Sequence, residues 1–206
     1  GICLSSKKYI KQCQIFLDME VLTKNELRLR RREIIEKIKR GAIFIHPTDT
    51  IYGIGCHALN EKAIQKIRTL KERPSTPFSV WVPSLNWIKS NSAPSKTLSK
   101  WLNELPGQYT IINKVKNKNC VANNIIHKME TLGMRMPNHW FHEIVEELGE
   151  PIVTTSANKT GKEFMTSLED LDLDIKREVD FIIYEGEKQA RPSRLIRIEN
   201  EEVIGR

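Results

Sequence analysis

Residues 41–55, Gly-Ala-Ile-Phe-Ile-His-Pro-Thr-Asp-Thr-Ile-Tyr-Gly-Ile-Gly, constrain this chain more than any other stretch. Residues 42–45 are apolar and β-branched enough for a buried strand, and Pro47 cannot continue a sheet ladder. Two threonines, a carboxylate and two glycines come after the proline. Gly53 and Gly55 let the backbone turn or approach a ligand closely. The segment reads as a strand that delivers polar side chains to the floor of a small-molecule pocket.

The flanking pattern places that strand in an α/β fold. Leu27, Ile34, Ile35 and Ile38 recur at helical spacing between Thr23, a cap, and Gly41, a terminator, which predicts one helix over 24–40. Asn60 caps a second helix over 61–70 whose apolar face is Ala63, Ile64, Ile67 and Leu70. The hydroxyl-bearing turn lies between a buried strand and a helix, where α/β folds bind ligands. Further strands are expected at 78–82, within 105–112, and at 132–136, 151–155, 181–184 and 195–198. Helices are expected at 85–88, 98–105, 140–148 and 168–173. Two prolines make 71–77 an irregular loop, and 113–124 is polar and basic enough for an exposed one. This order predicts a single-domain twisted mixed sheet with flanking helices over residues 23–206, preceded by an extension at 1–22.

Composition enters through charge. A formal net charge of +7 points to a polyanionic neighbour such as RNA or a nucleotide. Eleven Lys and Arg face five Asp and Glu within residues 1–40, a run that fits either a solvated helix face or an RNA-facing patch. Cys3, Cys13, Cys56 and Cys120 are scattered without Cys-x-x-Cys spacing, which argues against zinc and against a disulfide framework and fits a reducing cytosol. No run approaches the roughly 18 apolar residues of a membrane span, and the N-terminus lacks the apolar core of a secretory signal. A cytoplasmic location is the expectation. The short stretch Gly1-Ile-Cys-Leu-Ser5 would fit a myristoylation pattern if a Met preceded it.

Six motifs occur in a fixed order: Pro47-Thr-Asp-Thr-Ile-Tyr-Gly-Ile-Gly55, Lys71-x-Arg-Pro74, Pro106-Gly-x-x-Thr110, Gly133-x-Arg-x-Pro-x-His139, Ser156-Ala-Asn-x-x-Gly161 and Pro192-Ser193. In order and spacing they resemble the YrdC-like family, over residues 28–206. The resemblance implies an L-threonylcarbamoyladenylate synthase in a short single-domain form. Such a nucleotidyltransferase makes threonylcarbamoyl-AMP and pyrophosphate from L-threonine, bicarbonate and ATP. A tRNA-modifying transferase then uses the product to form N6-threonylcarbamoyladenosine. Mg2+ is expected with ATP.

The residue types suit that reaction. It brings anions together, so cations and oriented donors are the main requirement. Lys71 and Arg73, beside a proline, are the candidates to neutralise phosphate charge and to act catalytically. The Arg135 guanidinium fork matches a carboxylate, and the resemblance assigns it to threonine, together with Thr50, Trp81, Thr154 and Ser193. For ATP the resemblance points to Lys71, Arg73, Thr76, Thr131, Ser156, Asn158 and Arg206. Asp49 is a lone turn carboxylate that reads as a cap more readily than as a base or metal ligand. His46, His57, His127, His139 and His142 show no spacing of a metal site, and His139 and His142 read as a helix start.

Several positions depart from the family pattern. Glu72 stands where glycine is common, Gln108 where a second proline is usual, and Arg194 where threonine is frequent. Without the proline often found after the Ser-Ala-Asn turn, a nucleotide contact by Phe164 is in doubt. Two other readings compete with the enzyme. One is a module that binds double-stranded RNA or tRNA without turnover. The other is a domain that forms a carbamoyl-adenylate from carbamoyl phosphate, which normally sits in much larger chains. The set Lys71, Arg73, Arg135, Ser156 and Asn158 favours the enzyme, because RNA binding needs charge but not this combination.

Overall fold

In the computed structural model, which describes residues 19–126 and 130–205, a sheet of ten strands forms the spine of the molecule. The strands are β1 (Glu20–Leu22), β2 (Phe44–His46), β3 (Gly53–Gly55), β4 (Ser79–Trp81), β5 (Tyr109–Lys114), β6 (Thr131–Arg135), β7 (Ile152–Ser156), β8 (Phe181–Ile183), β9 (Arg194–Arg197) and β10 (Glu202–Ile204). Their order across the sheet is β1-β8-β2-β3-β7-β4-β6-β5-β9-β10. Four pairs are parallel (β1 with β8, β8 with β2, β4 with β6, β5 with β9) and the other five antiparallel, so the sheet is mixed.

Helices α1 (Lys24–Leu29), α2 (Arg31–Lys39), α3 (Glu61–Lys71), α4 (Leu85–Asn91), α5 (Lys96–Leu102), α6 (Asn123–Ile126), α7 (His142–Leu148) and α8 (Leu173–Glu178) cover both faces. Alternation along the strands decides what each face offers. Ile45, Ile54, Val80, Ile111, Met134, Val153, Ile182 and Ile196 point to one side and are buried with α3, α4, α5, α6 and α8. The opposite face carries Phe44, Trp81, Ile152, Phe181 and Ile183, packed under Leu27 of α1, Ile34 and Ile38 of α2, and Ile144 and Val145 of α7. Phe44 stacks on Phe181 at 5.1 Å between ring centroids, a contact worth about 0.5–1.5 kcal/mol beyond its buried area.

Four departures from the sequence reading have local causes. The helix expected over 24–40 is two, because Arg30 leaves helical geometry (φ −106°, ψ 16°) while its guanidinium holds Glu20 and Glu33. Gly53 and Gly55 lie in a strand rather than a turn. The acidic helix expected at 168–173 starts only at Leu173, since the Asp170 carboxylate captures the N–H groups of Thr166 and Ser167 and Asp172 caps the helix at Leu173. Residues 113–124 are not simply an exposed loop: Asn113 is buried in β5 and Cys120, Val121 and Ala122 are buried beyond it. The sheet also takes in Glu20–Leu22, so the packed domain starts before residue 23. The myristoylation pattern, Cys3, Cys13, His127 and Arg206 lie outside the described residues.

Candidate active site

On the face that bears Phe44 and Trp81, bulky side chains give way to small ones. His46, Gly53 and Ser156 are cross-strand neighbours, as are Thr154, Ser79 and Gly133. Over this patch opens a cleft of about 240 Å³, lined by Thr48, Ile51, Tyr52, Gly53, Arg73, Pro77, Ser79, Thr110, Arg135, Thr154, Thr155, Ser156, Phe164, Pro192 and Ser193. Among the described residues no Asp or Glu lines it, so its chemistry is that of hydroxyls and two guanidinium groups.

Arg135 ends β6 with only 7% of its surface exposed. Its Nη2 donates to Thr50 Oγ1 at 3.2 Å and lies 3.4 Å from Asp49 Oδ1. Thr50 is buried beneath the lining, where its backbone N–H donates to Thr48 Oγ1 at 3.0 Å. Thr110, the strand partner of Arg135, shares a hydrogen bond of 2.7 Å with Ser193, and both hydroxyls are buried. The loop that carries Ser193 is anchored at Glu185, whose carboxylate takes His139 Nε2 at 2.8 Å, Trp140 Nε1 at 2.6 Å and Lys188 Nζ at 2.6 Å. Burial opposes ionisation there, but these donors outweigh it and hold the carboxyl at about 2.

Lys71 does not line the cleft. It is 1% exposed, and its Nζ donates to the carbonyl oxygens of Ser156 and Asn158 at 2.5 and 2.6 Å and to Asn158 Oδ1 at 3.2 Å. All three N–H donors of an ammonium are engaged in the Ser-Ala-Asn turn. Burial, followed by the charge of Arg73, brings its pKa down to about 7. Ser156 Oγ donates to Asn158 Oδ1 at 2.5 Å, and Asn158 Nδ2 donates to Lys162 O, so Asn158 braces the turn while Ser156 faces the cleft. Lys71, which the sequence reading assigns to phosphate, here staples the Ser-Ala-Asn turn from behind the cleft wall.

Arg73 lines the cleft on a loop fixed from behind by Arg68, a residue that no motif singles out. Arg68 is 1% exposed, donates to the carbonyls of Arg73, Thr76, Asn124 and Ile125, and lies 4.3 Å over the Phe78 ring. The Thr76 side chain is exposed and outside the lining, its backbone serving Arg68. Thr131 occupies the cleft's face of β6 but at the strand's other end from Arg135, in a separate hollow with Lys114 and Arg197. Arg194 lies outside the cleft, in a neighbouring hollow with Arg191.

Trp81, which the resemblance assigns to threonine, does not line the cleft: it is fully buried in the aromatic cluster with Phe44 and Phe141, and its Nε1 donates to His142 Nδ1 at 3.0 Å. Gly53 lines the cleft and also leaves room for a protein ring, since a Cβ there would sit 2.7 Å from His46 Cε1, while a Cβ on Gly55 would meet the Val153 carbonyl at 2.7 Å. His46 donates Nδ1–H to Pro47 O at 3.1 Å, and its Nε2 has no hydrogen-bond partner among the described residues. Phe164, doubtful on the sequence pattern, does line the cleft, as does Thr110, which the Pro-Gly-x-x-Thr spacing marks without assigning a role. Most of the basic residues over 24–39 are held by carboxylates: Arg28 by Glu143, Arg30 by Glu20 and Glu33, Arg31 by Glu147, Lys37 by Glu20 and Glu33, and Lys39 by Glu36.

Fold and cleft define a class: α/β proteins in which one face of a twisted mixed sheet is hollowed into a hydroxyl-rich cleft with two arginines in its wall. The family model Sua5_yciO_yrdC, described as "Telomere recombination", matches residues 36–206. The chain belongs to the Sua5/YciO/YrdC family. It is 36% identical over 185 residues, 84% of either chain, to a Methanocaldococcus jannaschii protein named "Putative threonylcarbamoyl-AMP synthase". A structure of P. abyssi Sua5 complexed with L-threonine superposes with a TM-score of 0.76 at 26% identity, covering 87% of this chain and 54% of that one. The present chain spans about half the length of that Sua5. Escherichia coli YciO has the same fold, with a TM-score of 0.77 at 24% identity over 91% of this chain and 96% of its own. Among the described residues no helix is long and apolar enough to cross a membrane.

Proposed function

We propose that this protein is an L-threonylcarbamoyladenylate synthase, a nucleotidyltransferase that serves N6-threonylcarbamoyladenosine formation in tRNA. The observation that carries the reading is one cleft whose wall holds Arg73, Arg135 and several hydroxyl side chains. Threonine's nitrogen bonds to the carbon of bicarbonate with loss of water, and a carbamate oxygen then attacks the α-phosphorus of ATP. The bond from that phosphorus to the bridging oxygen breaks, and pyrophosphate leaves with the electron pair. The carbamate nucleophile is already anionic, so the reaction needs charge neutralisation and alignment more than a base.

Arg135, with Thr50 beneath it, would grip the threonine carboxylate, and Thr154, Thr110 and Ser193 would meet its remaining polar groups. Arg73 and Ser156 would face the phosphates, with Lys71 and Asn158 keeping the turn in shape. Thr131 and Arg206 stay candidates for the nucleoside end. No carboxylate among the described residues lines the cleft, so Mg2+ would enter on the nucleotide's own phosphates, where it supplies charge neutralisation. The name of the M. jannaschii relative and the threonine in the P. abyssi complex support this reading. Mass spectrometry of a mixture of protein, ATP, Mg2+, bicarbonate and L-threonine tests it. Threonylcarbamoyl-AMP is expected, and its absence with a folded protein contradicts the assignment.

A further inference from the structure

Asp49 stands in the turn between β2 and β3, its side chain 8% exposed, and is not part of the cleft wall. Oδ1 lies 3.4 Å from Nη2 of Arg135, whose side chain is equally buried. Oδ2 accepts the backbone N–H of Asn138 at 2.9 Å, and the Asp49 carbonyl accepts from Gln108 Nε2 at 2.8 Å. The neighbouring Thr50 hydroxyl takes the same Nη2 of Arg135. One turn therefore holds the guanidinium through two consecutive residues, while Asn138 and Gln108 hold the turn. A metal ligand or general base needs an oxygen directed at the reacting groups, and here both carboxylate oxygens meet protein N–H donors.

We propose that Asp49 is a positioning residue that fixes the Arg135 guanidinium in the orientation that receives the amino-acid carboxylate, and that it neither binds metal nor moves a proton. The proposal rests on the threonine reading of the cleft. Two physical roles for such a carboxylate predict opposite signs. If Asp49 merely neutralised Arg135, removing its charge would leave a more cationic cleft and tighten binding of a carboxylate. If it fixes direction, removing it lets the fork turn away, and binding weakens because bidentate pairing depends on plane and angle.

The test compares wild type with the isosteric Asp49→Asn. Guanidinium 15N signals of Arg135, assigned by their loss in Arg135→Lys, are expected to report restrained rotation in wild type and averaging in Asp49→Asn. Persistence of the restraint overturns the proposal, and this reading needs no substrate. In calorimetric titration with L-threonine, Asp49→Asn is expected to bind at least about tenfold more weakly, as when one partner of a buried charge pair is removed. Unchanged or tighter binding overturns the proposal. MgATP affinity is expected to stay within about twofold, since a change beyond that would point to a metal or phosphate role. Asn138→Ala is expected to match wild type, because the bond to Asp49 comes from the backbone. Should Asp49→Asn fail to fold, Asp49→Glu, which moves the charge by one methylene, carries the same expectations. Wild type that binds no threonine refutes the functional reading, while the guanidinium signals still decide the role of Asp49.

Discussion

The ammonium of Lys71 lies 2.5 Å from the carbonyl oxygen of Ser156, joining the end of α3 to the end of β7. With the Asn158 contacts, that bond makes the cleft's polar turn depend on a buried cation. Lys71→Met keeps the bulk and removes the donors, leaving two carbonyls short of a partner. A stability loss of about 2 kcal/mol is expected, at roughly 1 to 3 kcal/mol for a buried group left unsatisfied. Faster amide exchange through Ser156–Asn158 and weaker ATP binding should accompany it. Unchanged exchange with lost ATP binding would return Lys71 to the role of a direct phosphate ligand.

Gly53 is required by His46. A Cβ at that position meets His46 Cε1 at 2.7 Å and Nε2 at 2.8 Å. Gly53→Ala is expected to destabilise by about 1–3 kcal/mol through overpacking. Adding His46→Ala should return part of the loss, a coupling that a double-mutant cycle of melting curves measures. Strictly additive losses would mean the ring is not the obstacle.

His46 also sets a pH dependence. Burial lowers its pKa from 6.5 to about 3, the bond to Pro47 O opposing and the charge of Arg135 adding to the shift. Between those values the unfolded chain binds more protons than the folded one, so stability falls as pH drops from about 6.5 towards 3. His46→Phe removes this proton uptake. The urea midpoint should then fall less between pH 7 and pH 4 than it does in wild type, and an equal fall would contradict the account.

Glu72 caps α3 in a left-handed conformation, φ 53° and ψ 42°. That geometry favours glycine, so the departure noted in the sequence places a strained residue at the cap. Glu72→Gly is expected to raise stability by about 0.5–1 kcal/mol in denaturant titration, whereas Glu72→Ala should not.

Motif spacing picked out residues that share one cleft: Arg73, Arg135, Thr154, Ser156 and Ser193 all line it. Periodicity found most of the long elements, because their apolar faces pack on the sheet. What stayed hidden depends on where a side chain points after folding. Lys71 falls on the apolar face of α3 by spacing, four after Ile67 and seven after Ile64, with Arg68 at its edge, but spacing does not show that carbonyl-rich loops from elsewhere in the chain take up both cations. Trp81 shares a sheet face with the cleft, and only packing against Phe141 and His142 reveals that it belongs to the core. Of the three-residue strands, β2, β4 and β8 sit in apolar runs that mark them, whereas β1 (Glu-Val-Leu), β3 (Gly-Ile-Gly) and β10 (Glu-Val-Ile) have neither such a run nor the length for a period of two.

Pyrophosphate release from ATP in the presence of Mg2+ and bicarbonate, with and without L-threonine, tests the synthase assignment. Release is expected to require threonine, to fall when bicarbonate is removed, and to be lost in Arg73→Ala. Release that proceeds equally without threonine, or no release from a protein that binds both ATP and threonine, would contradict it.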